Sequence, residues 1–111
     1  MLVSRSSPFG SRTRTLVLLA LSLLDDSFAR ELARLLEMSL NGIQQALRGL
    51  EVDGLVAARS SGRTRLYRLN PRYFALKELE SYLKRLARAE TELVARSAKL
   101  RRRPRRTGKP R

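Results

Sequence analysis

The chain has 111 residues with no cysteine and no histidine, which removes disulfides, thiolate or imidazole metal sites and Cys/His nucleophile pairs together. Its 24 Lys and Arg outweigh 10 Asp and Glu for a net charge of +14, and nine of the basic residues fall in 96–111 with no acidic one among them. A modestly basic body with a strongly basic end favours a polyanionic partner, nucleic acid before an anionic membrane surface; with no acidic metal loop, phosphate loop or activated nucleophile, no enzyme, metal or cofactor is expected.

Residues 1–11 hold Ser, Pro and Gly without periodicity and are expected to form a loose arm. A first helix is predicted over Arg12–Leu24. Leu16, Leu19, Ala20 and Leu23 share one face of it, and Val17, Leu18, Leu21 and Leu24 another. A helix apolar on both faces is buried on both, so one face is expected to pack inward and the other, through Leu18 and Leu21, against a second subunit. Arg5, Arg12 and Arg14 before this apolar run, and Ser27-Phe28-Ala29 after it, also fit a cleavable secretory leader. Removing the segment would strip the following helices of the surface they need, so it is expected to be core. The apolar run of nine residues, Leu16–Leu24, is far short of the about 20 that span a membrane.

Phe28 to Leu36 reads as a second helix, or as a short extended piece followed by one, with Phe28, Leu32 and Leu35 on a stripe. A third helix is predicted over 40–53, since Leu40, Ile43, Leu47 and Leu50 follow spacings of 3, 4 and 3. Ser39 precedes it as an N-cap and Gly54 follows it as a C-cap. The period then changes. Leu55–Ala58 and Arg65–Leu69 read as two short strands around a tip at Ser60-Ser61-Gly62-Arg63; their pairing register stays open, because Leu66-Tyr67 and Arg68-Leu69 do not alternate cleanly.

A last helix is predicted over 71–100, with Asn70 as N-cap and Pro71 in its first turn. Leu76, Leu79, Leu83, Leu86, Glu90, Leu93, Ser97 and Leu100 keep a 3-4 spacing, a heptad seam diluted in its second half. Thirty residues of helix would be about 45 Å long, so part of the seam, Leu76, Leu79, Leu83, Leu86 and Leu93, is expected to meet a partner helix. Residues 101–111 (RRRPRRTGKPR) are expected to be a disordered, sequence-independent electrostatic arm.

Together, ELARLLEMS, the Ile43/Leu47/Leu50 stripe, the D-G-L-V exit at 53–56 and the wing R-S-S-G-R-T-R-L-Y-R-L-N-P resemble the winged helix-turn-helix of ArsR- and MarR-type transcription regulators of bacteria and archaea. The resemblance covers about residues 14–86. It implies a mainly α fold with a small β-hairpin: a winged helix-turn-helix domain over 12–70, a long C-terminal dimerisation helix over 71–100, and the two terminal arms. The function it implies is a dimeric, sequence-specific double-stranded DNA-binding regulator, a repressor, acting in the prokaryotic cytoplasm on the nucleoid.

In that motif a helix enters the major groove, where each base pair presents its own donor and acceptor pattern. Opposite the apolar stripe of helix 40–53 lie Asn41, Gln44, Gln45 and Arg48, expected to contact base edges: Asn and Gln pair bidentately with adenine, Arg with guanine. Ser39 and Gly42 stand at the helix start, where backbone N–H groups can take a phosphate. In the wing, Arg59, Ser61, Arg63, Thr64, Arg65 and Arg68 are expected on the backbone and minor groove, with Arg63 at the tip. Tyr67 is expected to pack on the body or reach a phosphate.

Two departures from the family stand out. Glu37 occupies a turn position that is often glycine, and a left-handed backbone there would cost a non-glycine residue about 1 kcal/mol. The Cys and His clusters of metal-sensing members are missing, so such a sensor is excluded and any small-molecule effector is left open. Two other readings use the same features: a winged-helix protein-interaction or antitoxin-like module, and a non-specific nucleic-acid packaging protein.

Overall fold

The computed structural model describes residues 8–101; the expected loose arm before residue 8 and the basic arm from 102 onward lie outside the described residues. The elements run α1 (Arg12–Leu24), β1 (Ser27–Phe28), α2 (Ala29–Leu36), α3 (Leu40–Val52), β2 (Val56–Ser61), β3 (Thr64–Leu69), α4 (Leu76–Ala87) and α5 (Thr91–Arg101).

The core is built around α1. The Ser11 hydroxyl caps its start by accepting from the Arg14 backbone N–H at 3.1 Å. Thr15 through Leu21 are all at most 1% exposed, because α2, α3, β3, α4 and α5 all pack on this helix. Both faces of α1 are therefore buried, as its sequence demands. The covering is supplied by the chain itself: Leu18 and Leu21, expected to meet a second subunit, are 0% and 1% exposed within the single chain.

Helices α2 and α3 end in the same way. After α2, the Met38 N–H donates to the Ala33 carbonyl at 3.0 Å and the Glu37 N–H to that of Arg34. After α3, the Leu55 N–H donates to the Leu50 carbonyl at 2.9 Å and the Gly54 N–H to that of Glu51. Each pair of bonds is a Schellman termination, which places a residue just past the helix, after the Asp53 cap in one case and directly after Leu36 in the other, in the left-handed region. That residue is Gly54 at φ +84° in one case and Glu37 at φ +57° in the other. The turn between α2 and α3 does demand the backbone that glycine prefers.

Strands β2 and β3 form the wing, in antiparallel register from Val56↔Leu69 to Ser61↔Thr64. The tip is the pair Gly62-Arg63, shorter than expected. Gly62 takes φ +65°, as the first loop position of a two-residue type II′ connection requires. β1 adds a third strand through Ser27↔Tyr67 and Phe28↔Leu66, in the order β1-β3-β2. β3 is thus central, and its failure to alternate is explained: Leu66 and Tyr67, on opposite faces, are 8% and 9% exposed.

The C-terminal segment departs most from expectation. Asn70 caps no helix: its side-chain amide donates to the Gly54 carbonyl at 2.9 Å and its Oδ1 accepts from the Arg72 N–H at 3.0 Å, clasping the end of the wing to the end of α3. Helical structure begins at Leu76, and the single helix expected over 71–100 is two, α4 and α5. The break follows three i→i−3 bonds, from Arg88, Ala89 and Glu90 to Arg85, Leu86 and Ala87, which tighten the last turn of α4. Folding back lets α5 pack on α1 and α2. Leu79, Leu83, Leu86 and Leu93 are then 0–9% exposed in the chain's own core, and Leu76 is half-buried. Burying a leucine contributes about 2 kcal/mol, stabilisation that an extended helix would obtain only from a partner. The described chain measures 38 Å along its longest axis.

Candidate nucleic-acid interface

Helix α3 sits with Ile43, Ala46, Leu47 and Leu50 buried, which fixes what its other side presents. Asn41, Gln44, Gln45 and Arg48 are all exposed and share one face at the helical repeat. This surface carries amide donors and acceptors and one forked cation. Val52 completes the stripe at the helix end, 85% exposed; a valine is easily taken for core in a sequence, and only its i+4 relation to Arg48 marks its face. At the other end, the Ser39 hydroxyl accepts from the Gly42 N–H at 3.0 Å. A Cβ added at Gly42 would come 3.1 Å from that hydroxyl oxygen. Both residues therefore build the helix start, and the Ser39 hydroxyl is already engaged there.

Register assigns the wing residues to faces. Arg59, opposite Leu66, and Arg68, opposite Ala57, share the outer face of the hairpin with Ser61 and Thr64. The Thr64 hydroxyl donates to the Ser61 carbonyl at 2.8 Å across the tip. Arg63 is exposed at the tip itself. Arg65 stands apart from the other arginines. It lies on the face of Tyr67 and Leu69, its Nη2 donates to Glu51 Oε2 at 2.8 Å, and its guanidinium carbon is 5.8 Å from the Tyr67 ring centroid. Hydrogen bonding with Tyr67 and then the Glu51 carboxylate push its already high pKa further up, so Arg65 is a permanent cation held by its own chain. Tyr67, buried in the core, packs on the body.

The segment from Glu37 to Asp53 contains three carboxylates, and each is paired with an arginine from a different element. Arg96 of α5 reaches Glu37 at 3.0 Å, Arg65 of β3 reaches Glu51 at 2.8 Å, and Arg14 of α1 pairs with Asp53. No unpaired carboxylate of the helix-turn-helix stands beside the polar face of α3. On α2, Arg30 and Arg34, one turn apart, are exposed, as their i, i+4 spacing opposite Leu32 and Leu35 implies. Among the described residues, no group of three or more acidic, His or Cys side chains is placed to hold a metal, and no helix is long and apolar enough to cross a membrane.

Comparison with solved structures places this geometry in a known class. HlyU from Vibrio cholerae, in its reduced form, is 31% identical over 69% of this chain and 75% of its own, with a TM-score of 0.56. The adhesin competence repressor AdcR from Streptococcus pyogenes aligns over 79% of this chain at 18% identity with a TM-score of 0.59, and a mutant of ZitR from Lactococcus lactis over 81% at 18% identity with a TM-score of 0.59. The chain spans 65% and 59% of the lengths of these last two; at that identity they establish the fold. No family model matches the chain, and no curated protein matches its sequence. The chain belongs to the winged helix-turn-helix transcription regulators of the ArsR and MarR type. It is a regulator of this DNA-binding kind.

Proposed function

We propose that the chain is a sequence-specific double-stranded DNA-binding repressor that reads bases with α3 and tracks the backbone and minor groove with its wing. One observation carries this reading. The exposed face of α3 bears Asn41, Gln44, Gln45 and Arg48, held outward by a fully buried Ile43/Leu47/Leu50 stripe, while Glu37, Glu51 and Asp53 are each paired with an arginine. Side chains that both donate and accept are what major-groove edges require. Arg59, Arg63 and Arg68 on the wing, with the backbone groups at the Ser39–Gly42 start of α3, supply the sequence-independent contacts.

The same reading makes the protein a homodimer on a palindromic operator, working in the cytoplasm on the nucleoid. Leu79, Leu83, Leu86 and Leu93 of the seam being internal, a second copy would be met through other residues, the half-buried seam residue Leu76 among them. Apolar surface for it is offered at a cavity of about 470 Å³ between α1, β3 and α4, lined in part by half-buried Leu23, Leu69 and Leu76, and separately by the exposed Phe74 and Tyr82.

The test is fluorescence anisotropy across a salt series, comparing the duplex upstream of the coding sequence with a shuffled one, together with sequences enriched from a random duplex library. Arg48→Ala and Gln45→Ala are expected to reduce discrimination by about 1–3 kcal/mol at the bases they read. Arg63→Ala is expected to weaken all duplexes alike and reduce the salt slope by about one. Equal losses on every duplex for the α3 variants would remove base reading. A chain that binds no duplex even at low salt would move the assignment to a protein-interaction module.

A further inference from the structure

Arg65 is the wing arginine whose guanidinium is committed to the chain's own groups, and its surroundings point to a role other than touching DNA. The wing is unequally supported along its length. Near its base it is three strands wide, because β1 pairs with Leu66 and Tyr67. Beyond them only β2 and β3 remain, and Arg59, Ser60, Gly62, Arg63, Thr64 and Arg65 are all exposed. A two-stranded ribbon without a covered face is marginal in water and free to bend and twist. Nothing buried holds its tip at a set angle to the rest of the fold.

Arg65 crosses this weak point. Its backbone belongs to the unsupported ribbon, while its side chain is held by two groups rooted in the core. The Tyr67 ring, 9% exposed, lies 5.8 Å from its guanidinium carbon. Glu51, 2.8 Å away, stands in the last turn of α3 beside Leu50, which is 0% exposed. The contact therefore joins the distal wing to the helix that carries the base-reading face.

We infer that Glu51 and Arg65 are positioning residues, a brace that fixes the angle between the wing and α3 so that both meet one duplex in a single register. The inference rests on the DNA-reading function proposed above. An exposed ion pair adds little to global stability, and the brace needs little: it selects one wing angle among several of similar energy, and the effect appears in recognition. Arg65 then gives up the phosphate contact expected of it, and Arg59, Arg63 and Arg68 carry the wing's contact with DNA.

The test uses the full chain and two independent readouts. Because the protein has no cysteine, an Arg63→Cys variant carries a single nitroxide at the wing tip. Without DNA, Glu51→Gln is expected to narrow its spectral lines. The exchanged pair Glu51→Arg with Arg65→Glu, which leaves net charge unchanged, is expected to broaden them again; an unchanged line shape in Glu51→Gln overturns the brace. In the unlabelled protein, Glu51→Gln and Arg65→Glu are each expected to lower the affinity ratio between a library-selected and a scrambled duplex about fivefold, with the exchanged pair recovering most of it. An exchanged pair no better than Arg65→Glu alone overturns the positioning role, since Arg65 would then act on the duplex directly. A wild-type chain that enriches no sequence removes the function proposed above and this role with it, even where the nitroxide shows an intact brace.

Discussion

Glu37 offers a quantitative check on how the helix-turn-helix is closed. It occupies the left-handed position of a Schellman termination at φ +57°, ψ +47°, where the Cβ crowds the carbonyl oxygen at a cost of about 1–2 kcal/mol. Glycine avoids that cost and loses about 0.4–1 kcal/mol through the greater freedom of the unfolded chain. Glu37 also pairs with Arg96 at 3.0 Å, but its side chain is 75% exposed, so solvent screening leaves the pair worth a few tenths of a kcal/mol, about 0.3. Comparing Glu37→Gly with Glu37→Ala removes the pair from both sides of the difference. The glycine variant is then expected to be more stable than the alanine variant by about 0.8 kcal/mol, a Tm difference of about 3–6 °C for a domain of this size. Thermal unfolding followed by circular dichroism at fixed pH and salt measures it. Alanine and glycine variants that melt within about a degree of each other would refute the reasoning, because the backbone at 37 would then not be held in the left-handed region.

Two further outcomes follow from the packing. Leu83→Ala, at a position 0% exposed, is expected to cost about 3 kcal/mol in urea unfolding while leaving the sedimentation coefficient of the folded protein unchanged; a shift in oligomeric state would return Leu83 to a subunit interface. Ser97→Ala is expected to stabilise by about 1 kcal/mol, seen as a higher urea midpoint, because the Ser97 hydroxyl is buried without a hydrogen-bond partner and alanine is the better helix former. A lower midpoint would mean that the hydroxyl has a partner worth keeping.

Local chemistry was legible in the sequence wherever one residue type answers one need. Arg12–Leu24 ran to its expected ends, and Ser39 and Gly54 bounded α3, since an N-cap hydroxyl and a left-handed glycine are hard to replace. The polar face of α3 followed from its apolar stripe, because fixing one side of a helix fixes the other. What covers an apolar stripe is not written in the stripe. The leucines of α1 and of the seam have the same spacing whether they face their own core or a partner, and the structure turned most of them inward, leaving Leu23, Leu76 and Leu100 half-buried. The break between α4 and α5 lies at Glu90, where the seam was diluted, but without Gly or Pro the dilution marks weakness and not a turn. β1 is two residues long, too short for any period. Arg65 and Arg68 stand three apart on one strand and so on opposite faces whatever the register; which of those faces turns to the body was not legible, because Leu66 and Tyr67 are both buried once β1 pairs beside them.

The three arginine–carboxylate pairs of the helix-turn-helix are better understood through DNA than through stability. Each is at least partly exposed and contributes at most about 1 kcal/mol to folding. On the DNA-reading function proposed above, Glu37, Glu51 and Asp53 would nonetheless be three negative charges in the segment offered to a polyanion. Neutralising them with arginines drawn from α5, β3 and α1 removes that repulsion without adding cations to the base-reading face, where a surplus would bind any sequence equally well. The pairs also tie α2 and α3 to the three elements that flank them. If α3 reads bases as proposed, a tilt of the helix would part these ion pairs, so Arg14, Arg65 and Arg96 would act on orientation around α3 while Arg59, Arg63 and Arg68 supply attraction at the wing. This division of labour predicts that neutralising any one of the three carboxylates raises affinity for all duplexes while lowering the preference among them. Salt titrations of Glu37→Gln, Glu51→Gln and Asp53→Asn against a selected and a scrambled duplex would show it, and a uniform rise with preference intact would leave the pairs a purely electrostatic part.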